Sequence, residues 1–257
     1  MTASHTSFDL TGKLALVTGA SRGIGEAIAH LLAAHGARII VSSRKIDGCE
    51  AVARAIRDAG GQAEARACHI GEMDQIETLF EAIEAEHGRL DILVNNAATN
   101  PHFGPITETD VSMFQKTVDV NIRGYFFMSS RAAKLMAANG GGSIVNVSSI
   151  NGVIPGEMQG IYSITKAAVI SMTKAFAREC ATQGVRVNAL LPGATDTKFA
   201  AALVKNDEIR EHALRHIPMK RVAEPSEMAG AVLYLVSPAA SYTTGTCLNV
   251  DGGYLVA

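Results

Sequence analysis

Leu14-Ala15-Leu16-Val17-Thr18-Gly19-Ala20-Ser21-Arg22-Gly23-Ile24-Gly25 decides the fold. Its first five residues form the short apolar run that a strand buried on both faces carries, and glycines at spacing G-x3-G-x-G follow at once. Beyond them, Ile24 to His35 is an alanine-rich helical stretch closed by Gly36. Strand, glycine turn and helix in that order form a cradle for a phosphate group. Gly19 serves the turn, Gly23 lets the backbone approach a pyrophosphate, and Gly25 sets helix against strand, with the helix amino terminus facing the anion. Ser21, Arg22 and Ile24 lie between these glycines and belong to the same candidate contact set.

Outward from this turn the pattern repeats. Strands are expected at Arg38 to Ser42, Ala63 to Cys68, Ile92 to Asn95, Ser143 to Val147, Val185 to Leu190 and Cys247 to Val250. Helical stretches separate them: Asp47 to Ala59, Met73 to His87, a long region from Asp110 to Ala138, and about Tyr162 to Gln183. Two shorter ones run near Phe199 to His216 and Ser226 to Val236. Strands alternating with helices predict an α/β fold, a parallel sheet covered on both faces and doubly wound by right-handed crossovers, which is a Rossmann-type architecture. Prolines and glycines are spread along the chain and no charge run marks a linker, so one domain over residues 1–257 is expected.

Composition narrows the function classes. The chain has 257 residues, 47% of them hydrophobic and 19% charged, with 23 Lys+Arg against 25 Asp+Glu and a net charge of -2. That balance gives no electrostatic basis for binding nucleic acid. Met1 to Leu10 has neither a basic start nor an apolar run, and no segment is long and apolar enough for a membrane span. Cys49, Cys68, Cys180 and Cys247 are far apart and form no Cys-x-x-Cys, so neither a zinc site nor a disulfide framework is expected, and a reducing cytoplasm is the simplest compartment. The end, Leu255-Val256-Ala257, is not a peroxisomal or retention address. His212 and His216 share a helical spacing, but Ala213 stands where a zinc protease motif needs Glu, so no metal is expected.

The second strand ends in Ser42-Ser43-Arg44-Lys45, with no Asp or Glu for the adenosine ribose hydroxyls of NAD. Arg44, with Arg22 approaching from the glycine turn, can instead pair with a 2′-phosphate, so NADPH is expected over NADH, with Ser43 beside it. Further along, Tyr162 and Lys166 are four residues apart and Ser149 precedes the tyrosine by thirteen. On a helix that spacing stacks phenol and ammonium on one face, where the cation favours the phenolate. A tyrosine near pKa ~10 needs such a charge and a hydroxyl partner for acid–base work at neutral pH.

With the glycine turn, Asn95-Asn96-Ala97, Asn121, Ser149, Tyr162-x3-Lys166 and Pro192-Gly193 in order, the chain resembles the short-chain dehydrogenase/reductase family from about Thr11 to Gly253. The resemblance implies an NAD(P)-dependent oxidoreductase with seven parallel strands, often tetrameric. It implies that Tyr162 gives a proton to the substrate carbonyl oxygen and takes it back in alcohol oxidation. Ser149 would hold that oxygen, Lys166 would lower the tyrosine pKa and bind the nicotinamide ribose, and Asn121 would hold a proton-relaying water. By the same resemblance Pro192, Gly193, Thr195 and Thr197 lie over the nicotinamide, and Asn96, Ala97 and Ala98 line the adenosine side.

Two positions depart from the family pattern. Ala98 replaces a glycine, and His69, before Ile70, replaces the Asp that meets the adenine amino group. A neutral His69 stacking on the base or accepting from it is one reading. These departures are similar to those of the NADPH-dependent carbonyl and retinol reductases of the vertebrate peroxisomal type, which raises a ketone-reducing reading. Substrate choice is expected in 150–161 and in a substrate-loop or lid region near 195–217. Ile150, Val153, Ile154 and Met158 there predict an apolar pocket around Ser149, Asn151 and Tyr162. The partner is then a small carbonyl or alcohol. Two alternatives stay open: 3-oxoacyl reduction on a carrier protein docked by Arg131, Lys134 and Arg178, and a dinucleotide-binding sensor or scaffold without turnover. The resemblance also implies a homotetramer, and Tyr125-Phe126-Phe127-Met128 is apolar beyond one narrow stripe, which fits burial on two sides, as a buried core helix would also show.

Overall fold

The structure, a computed structural model, describes residues 8–197 and 214–257. Seven strands form one parallel sheet in the order β3-β2-β1-β4-β5-β6-β7. They are β1 (Leu14–Thr18), β2 (Arg38–Ser43), β3 (Gln62–Ala67), β4 (Ile92–Asn95), β5 (Gly142–Val147), β6 (Val185–Pro192) and β7 (Cys247–Val250). The crossovers carry α1 (Gly23–Ala34), α2 (Ile46–Asp58), α3 (Met73–His87), α4 (Val111–Val118), α5 (Tyr125–Ala138), α6 (Gly160–Cys180) and α7 (Pro225–Val236).

Period-two alternation divides the strands between two apolar layers. Ala15 and Val17 of β1, with Ile39 and Val41 of β2, pack against α1, α2 and α7 through Ile28, Leu32, Val52 and Val232. Leu14, Leu16 and Ile40 point the other way, onto Phe80 of α3, Met128 of α5 and Val169 of α6. Both layers are closed, which is why the central strands are almost wholly apolar. The edge strand β3, Gln62–Ala67, is half-exposed and polar, as an edge that must not recruit another strand should be. Glu64 and Glu86 with His87 form the one cluster of potential metal ligands among the described residues, and Arg38 and Arg66 already pair with its carboxylates.

Several expected boundaries move by a residue or two. The large difference is the stretch from Asp110 to Ala138. Asp110 caps α4 by accepting the Met113 N–H at 2.7 Å, and the helix then widens into a π-helical turn over Asp119–Gly124 before α5 begins. The extra residue in that turn swings Asn121 inward until it is fully buried. Gly124 is required there, since a Cβ would strike the Ile70 backbone carbonyl. The helix expected at 199–216 lies outside the described residues except for its last three positions. No helix among the described residues is long and apolar enough to cross a membrane.

Candidate active site

The cleft opens at the carboxyl ends of the strands, where strand order reverses between β1 and β4, the place at which open α/β sheets bind ligands. Its volume is about 1710 Å³, above the ~300–1,000 Å³ usual for a single small ligand and suited to an extended dinucleotide plus a second molecule. Every sequence-derived cofactor candidate lines it except Gly25, which packs behind the turn.

The turn is built tightly. Gly19 has φ +63°, and a Cβ there would come within 2.7 Å of the Ala97 Cα. A Cβ on Gly25 would come within 2.5 Å of both the Asn96 side-chain nitrogen and the Gly19 carbonyl oxygen. Gly25 therefore answers to the turn itself and to Asn96, rather than only to helix–strand packing. The Asn96 amide donates to the Thr18 and Gly19 carbonyls at 3.0 and 3.1 Å, and the Thr18 hydroxyl accepts the Asn96 and Ala97 N–H groups. Asn96 thus holds the turn closed, with its donors spent away from the adenosine side.

These residues fit a dinucleotide. The α1 amino terminus has no side-chain cap on its free N–H groups, as an anion site requires. Gly23, at φ +62°, presents bare backbone opposite Thr197. Arg22, Ser43, Arg44 and Lys45 surround the end of β2, and the acids that line this part of the cleft, Glu26 and Asp47, stand in the first turns of α1 and α2. His69 accepts the Gly71 N–H at Nδ1, 3.1 Å away. A neutral ring therefore carries its proton on Nε2, so it can donate or stack but has no free acceptor for an adenine amino group.

At the other end Ser149, Tyr162 and Lys166 come together. Ser149 sits at the end of β5, and its oxygen accepts the Asn151 N–H at 3.1 Å, which leaves its own proton to donate. It hydrogen-bonds the Tyr162 phenol. Burial pushes that phenol up to about 12, more than the Ser149 bond lowers it. Lys166 is fully buried, and its Nζ donates to the Val147 carbonyl at 2.8 Å and lies over the Tyr162 ring, 5.5 Å from its centroid. Burial lowers this lysine to about 7. Desolvation dominates both groups, and what lowers the phenol is the Ser149 bond rather than the lysine expected from the sequence.

Asn121 does not reach the cleft. Its amide nitrogen donates to the Thr99 carbonyl and the Thr165 hydroxyl at 2.9 and 3.1 Å, and its oxygen accepts the Thr99 N–H. Thr165 in turn donates to the Tyr162 carbonyl at 2.7 Å. The arrangement ties the first turn of α6 to the loop after β4 and so fixes where Tyr162 stands.

The pocket beside this group is less apolar than expected. Ile150, Asn151 and Met158 line it, but Val153 and Ile154 are exposed and face away from it. Sequence reasoning missed Asn100, Phe103, Gln159 and Tyr254 on this wall. Gly104 donates to the Met158 carbonyl at 2.9 Å, and Asn100 to the Gln159 side chain at 3.3 Å, so the loops after β4 and β5 form one wall. Met158 takes φ +60°, a conformation that a residue with a Cβ adopts only under constraint. His216, expected on a solvated helix face, borders the cleft and meets the Tyr254 ring edge-on with centroids 6.5 Å apart.

A sequence profile described as enoyl-(acyl carrier protein) reductase matches residues 19–255. Dehydrogenase/reductase SDR family member 4 of Oryctolagus cuniculus is 37% identical over 244 residues, 95% of this chain and 94% of that protein. The 3-oxoacyl-[acyl-carrier-protein] reductase of Vibrio cholerae is 39% identical over 251 residues, 95% and 98% of the two chains. The structure of a gluconate 5-dehydrogenase from Burkholderia cenocepacia in complex with NADP and tartrate superposes with a TM-score of 0.94 at 32% identity, covering 97% of this chain and 98% of that one. A seven-stranded parallel sheet with a glycine turn at its switch point, matched in sequence and shape along nearly its whole length, places this chain in the short-chain dehydrogenase/reductase family, the nicotinamide-dinucleotide oxidoreductases of CH–OH and C=O groups.

Proposed function

We propose that the chain is an NADPH-preferring reductase of a small ketone or aldehyde, acting in reverse on a secondary alcohol. The observation that carries the reading is the meeting of Ser149, hydrogen-bonded to the phenol, with Tyr162 and Lys166 at one wall of the dinucleotide cleft. A bound nicotinamide supplies the hydride. Ser149 holds the carbonyl oxygen, and Tyr162, protonated throughout the neutral range, gives that oxygen its proton. Lys166 places a positive charge behind the phenol, and Asn121 positions the Tyr162 turn through Thr165. The preference for NADPH rests on Arg22, Arg44 and Lys45 at the end of β2.

The chain acts as a single nucleotide-binding domain, with its substrate loop near 195–217. The exposed aromatic face of α5 and α6, where the Phe126 ring lies 5.3 Å from both Phe127 and Phe176, supports a homotetramer. Four free cysteines support a reducing cytoplasm. Likeness to the Vibrio cholerae enzyme favours 3-oxoacyl-carrier reduction as a second reading. Of the basic residues that would dock a carrier, Arg131 is already paired with Glu77 and Glu84.

The test follows NADPH and NADH oxidation over ketones, diketones, quinones, retinal, sugars and acetoacetyl thioesters, with Tyr162→Phe as control. Turnover with NADPH that disappears in the variant supports the reading, and the best substrate separates a carbonyl reductase from an acyl-chain enzyme. Turnover that survives Tyr162→Phe defeats it. Light scattering on the eluted protein checks the tetramer.

A further inference from the structure

Tyr125 is the largest side chain fully withdrawn from solvent among the described residues, and its ring lies against Lys166. The Lys166 Nζ sits over the Tyr125 ring, 5.2 Å from the centroid, and over the Tyr162 ring at 5.5 Å. Both fall inside the range of about 6 Å in which a ring face attracts a cation. The Tyr125 hydroxyl donates to the Val147 carbonyl at 3.2 Å, the same oxygen that accepts the lysine proton at 2.8 Å.

We propose that Tyr125 is a positioning residue for Lys166, its ring face stabilising the buried ammonium while its hydroxyl shares the carbonyl to which that ammonium points. The proposal rests on the reading of Lys166 as part of the site. The surroundings explain the need. The titratable groups facing the ammonium are Tyr162 on its own helix and Tyr125 on α5. β5 and the turn after it bring the Val147 carbonyl and Ser149, and the π turn brings the uncharged Asn121. Other charges on the packed elements are engaged elsewhere or exposed: Asp119 pairs with Arg123, Arg186 of β6 binds the Leu235 and Ser237 carbonyls, and Lys116 of α4 is exposed. No carboxylate among the described residues pairs with Lys166. Tyr162 changes its own state during proton transfer, so Tyr125 is the ring that stays constant.

The experiment titrates Lys166 by NMR in protein carrying 13Cε-lysine, with Lys166→Met identifying its signal. Tyr125→Leu is expected to lower the midpoint by about half to one pH unit, the size of one cation–π contact. Replacing Tyr125 by phenylalanine, which keeps the ring face, leaves the midpoint at or slightly above the native one, because Val147 then serves a single donor. Pentafluorophenylalanine at the same place has the same shape and an inverted ring charge, and lowers the midpoint as leucine does. Equal midpoints for the two aromatic replacements, or a native midpoint in a folded leucine variant, overturn the proposal. The titration is read without turnover. If it moves while the pH limb of kcat/KM does not, the role of Lys166 in the reaction fails and the placement by Tyr125 stands.

Discussion

Lys166 donates to the Val147 carbonyl oxygen at 2.8 Å, so its positive charge is buried against that neutral acceptor and the rings of Tyr125 and Tyr162. The unfolded chain keeps this proton up to 10.5, while the folded chain releases it near 7. The folded state therefore binds fewer protons between those values, and stability rises with pH across the interval. Lys166→Met removes the buried charge and is expected to be more stable than the native protein by about 1–4 kcal/mol at pH 6. That advantage narrows toward pH 10. Urea unfolding at pH 6, 8 and 10 checks it, and a variant weaker than the native protein at pH 6 contradicts it.

The same pair of shifts gives a pH profile. Tyr162, raised to about 12, stays protonated over the whole working range, whereas Lys166 loses its charge near 7. At saturating cofactor kcat/KM reports the enzyme–cofactor complex before the carbonyl binds, and carbonyl reduction is expected to decline as pH rises through about 7. The measurement is kcat/KM from pH 5.5 to 9.5 at saturating cofactor. A plateau reaching pH 9 would mean that the charge on Lys166 is dispensable.

Arg44 follows directly on β2, lines the cleft and forms no ion pair among the described residues. A charge-assisted bond to a 2′-phosphate is worth about 1.5–3 kcal/mol. Arg44→Ala is therefore expected to weaken NADPH about ten- to a hundredfold while leaving NADH almost unchanged, as measured by fluorescence titration of each cofactor. Equal losses for both would move the residue's role away from the phosphate.

The sheet was legible because Leu14 to Thr18 and its successors are short apolar runs punctuated by glycine, signals that are local in sequence. Ser149, Tyr162 and Lys166 were legible for the same reason, since their spacing is a property of one turn and one helix. What escaped depends on distant partners. The Asn96 donors are directed to carbonyls 78 and 77 positions earlier, a choice made by the sheet that pairs β1 with β4. The π turn at Asn121 leaves no mark in a helical pattern with no Pro and no Gly before Gly124. Tyr125 read as one apolar residue among four. Only the fold separates it and Met128, turned inward, from Phe126 and Phe127 at the surface.

The contact between Gly25 and Asn96 can be tested without any ligand. A methyl group at 25 would lie 2.5 Å from the Asn96 amide nitrogen and 2.5 Å from the Gly19 oxygen that this nitrogen binds. Gly25→Ala must therefore displace Asn96 and open the turn, with a loss expected near the 1–3 kcal/mol typical of overpacking. Asn96→Ala removes the hydrogen bonds to Thr18 and Gly19 and costs a similar amount. In the double variant the amide is already gone, so the methyl group meets only the turn backbone and its added cost shrinks. The two losses should then sum to more than the double loss by about 0.5 kcal/mol or more. Urea denaturation of the four proteins measures the cycle. Strict additivity would mean that Gly25 is kept small by the turn backbone alone, independently of the Asn96 side chain.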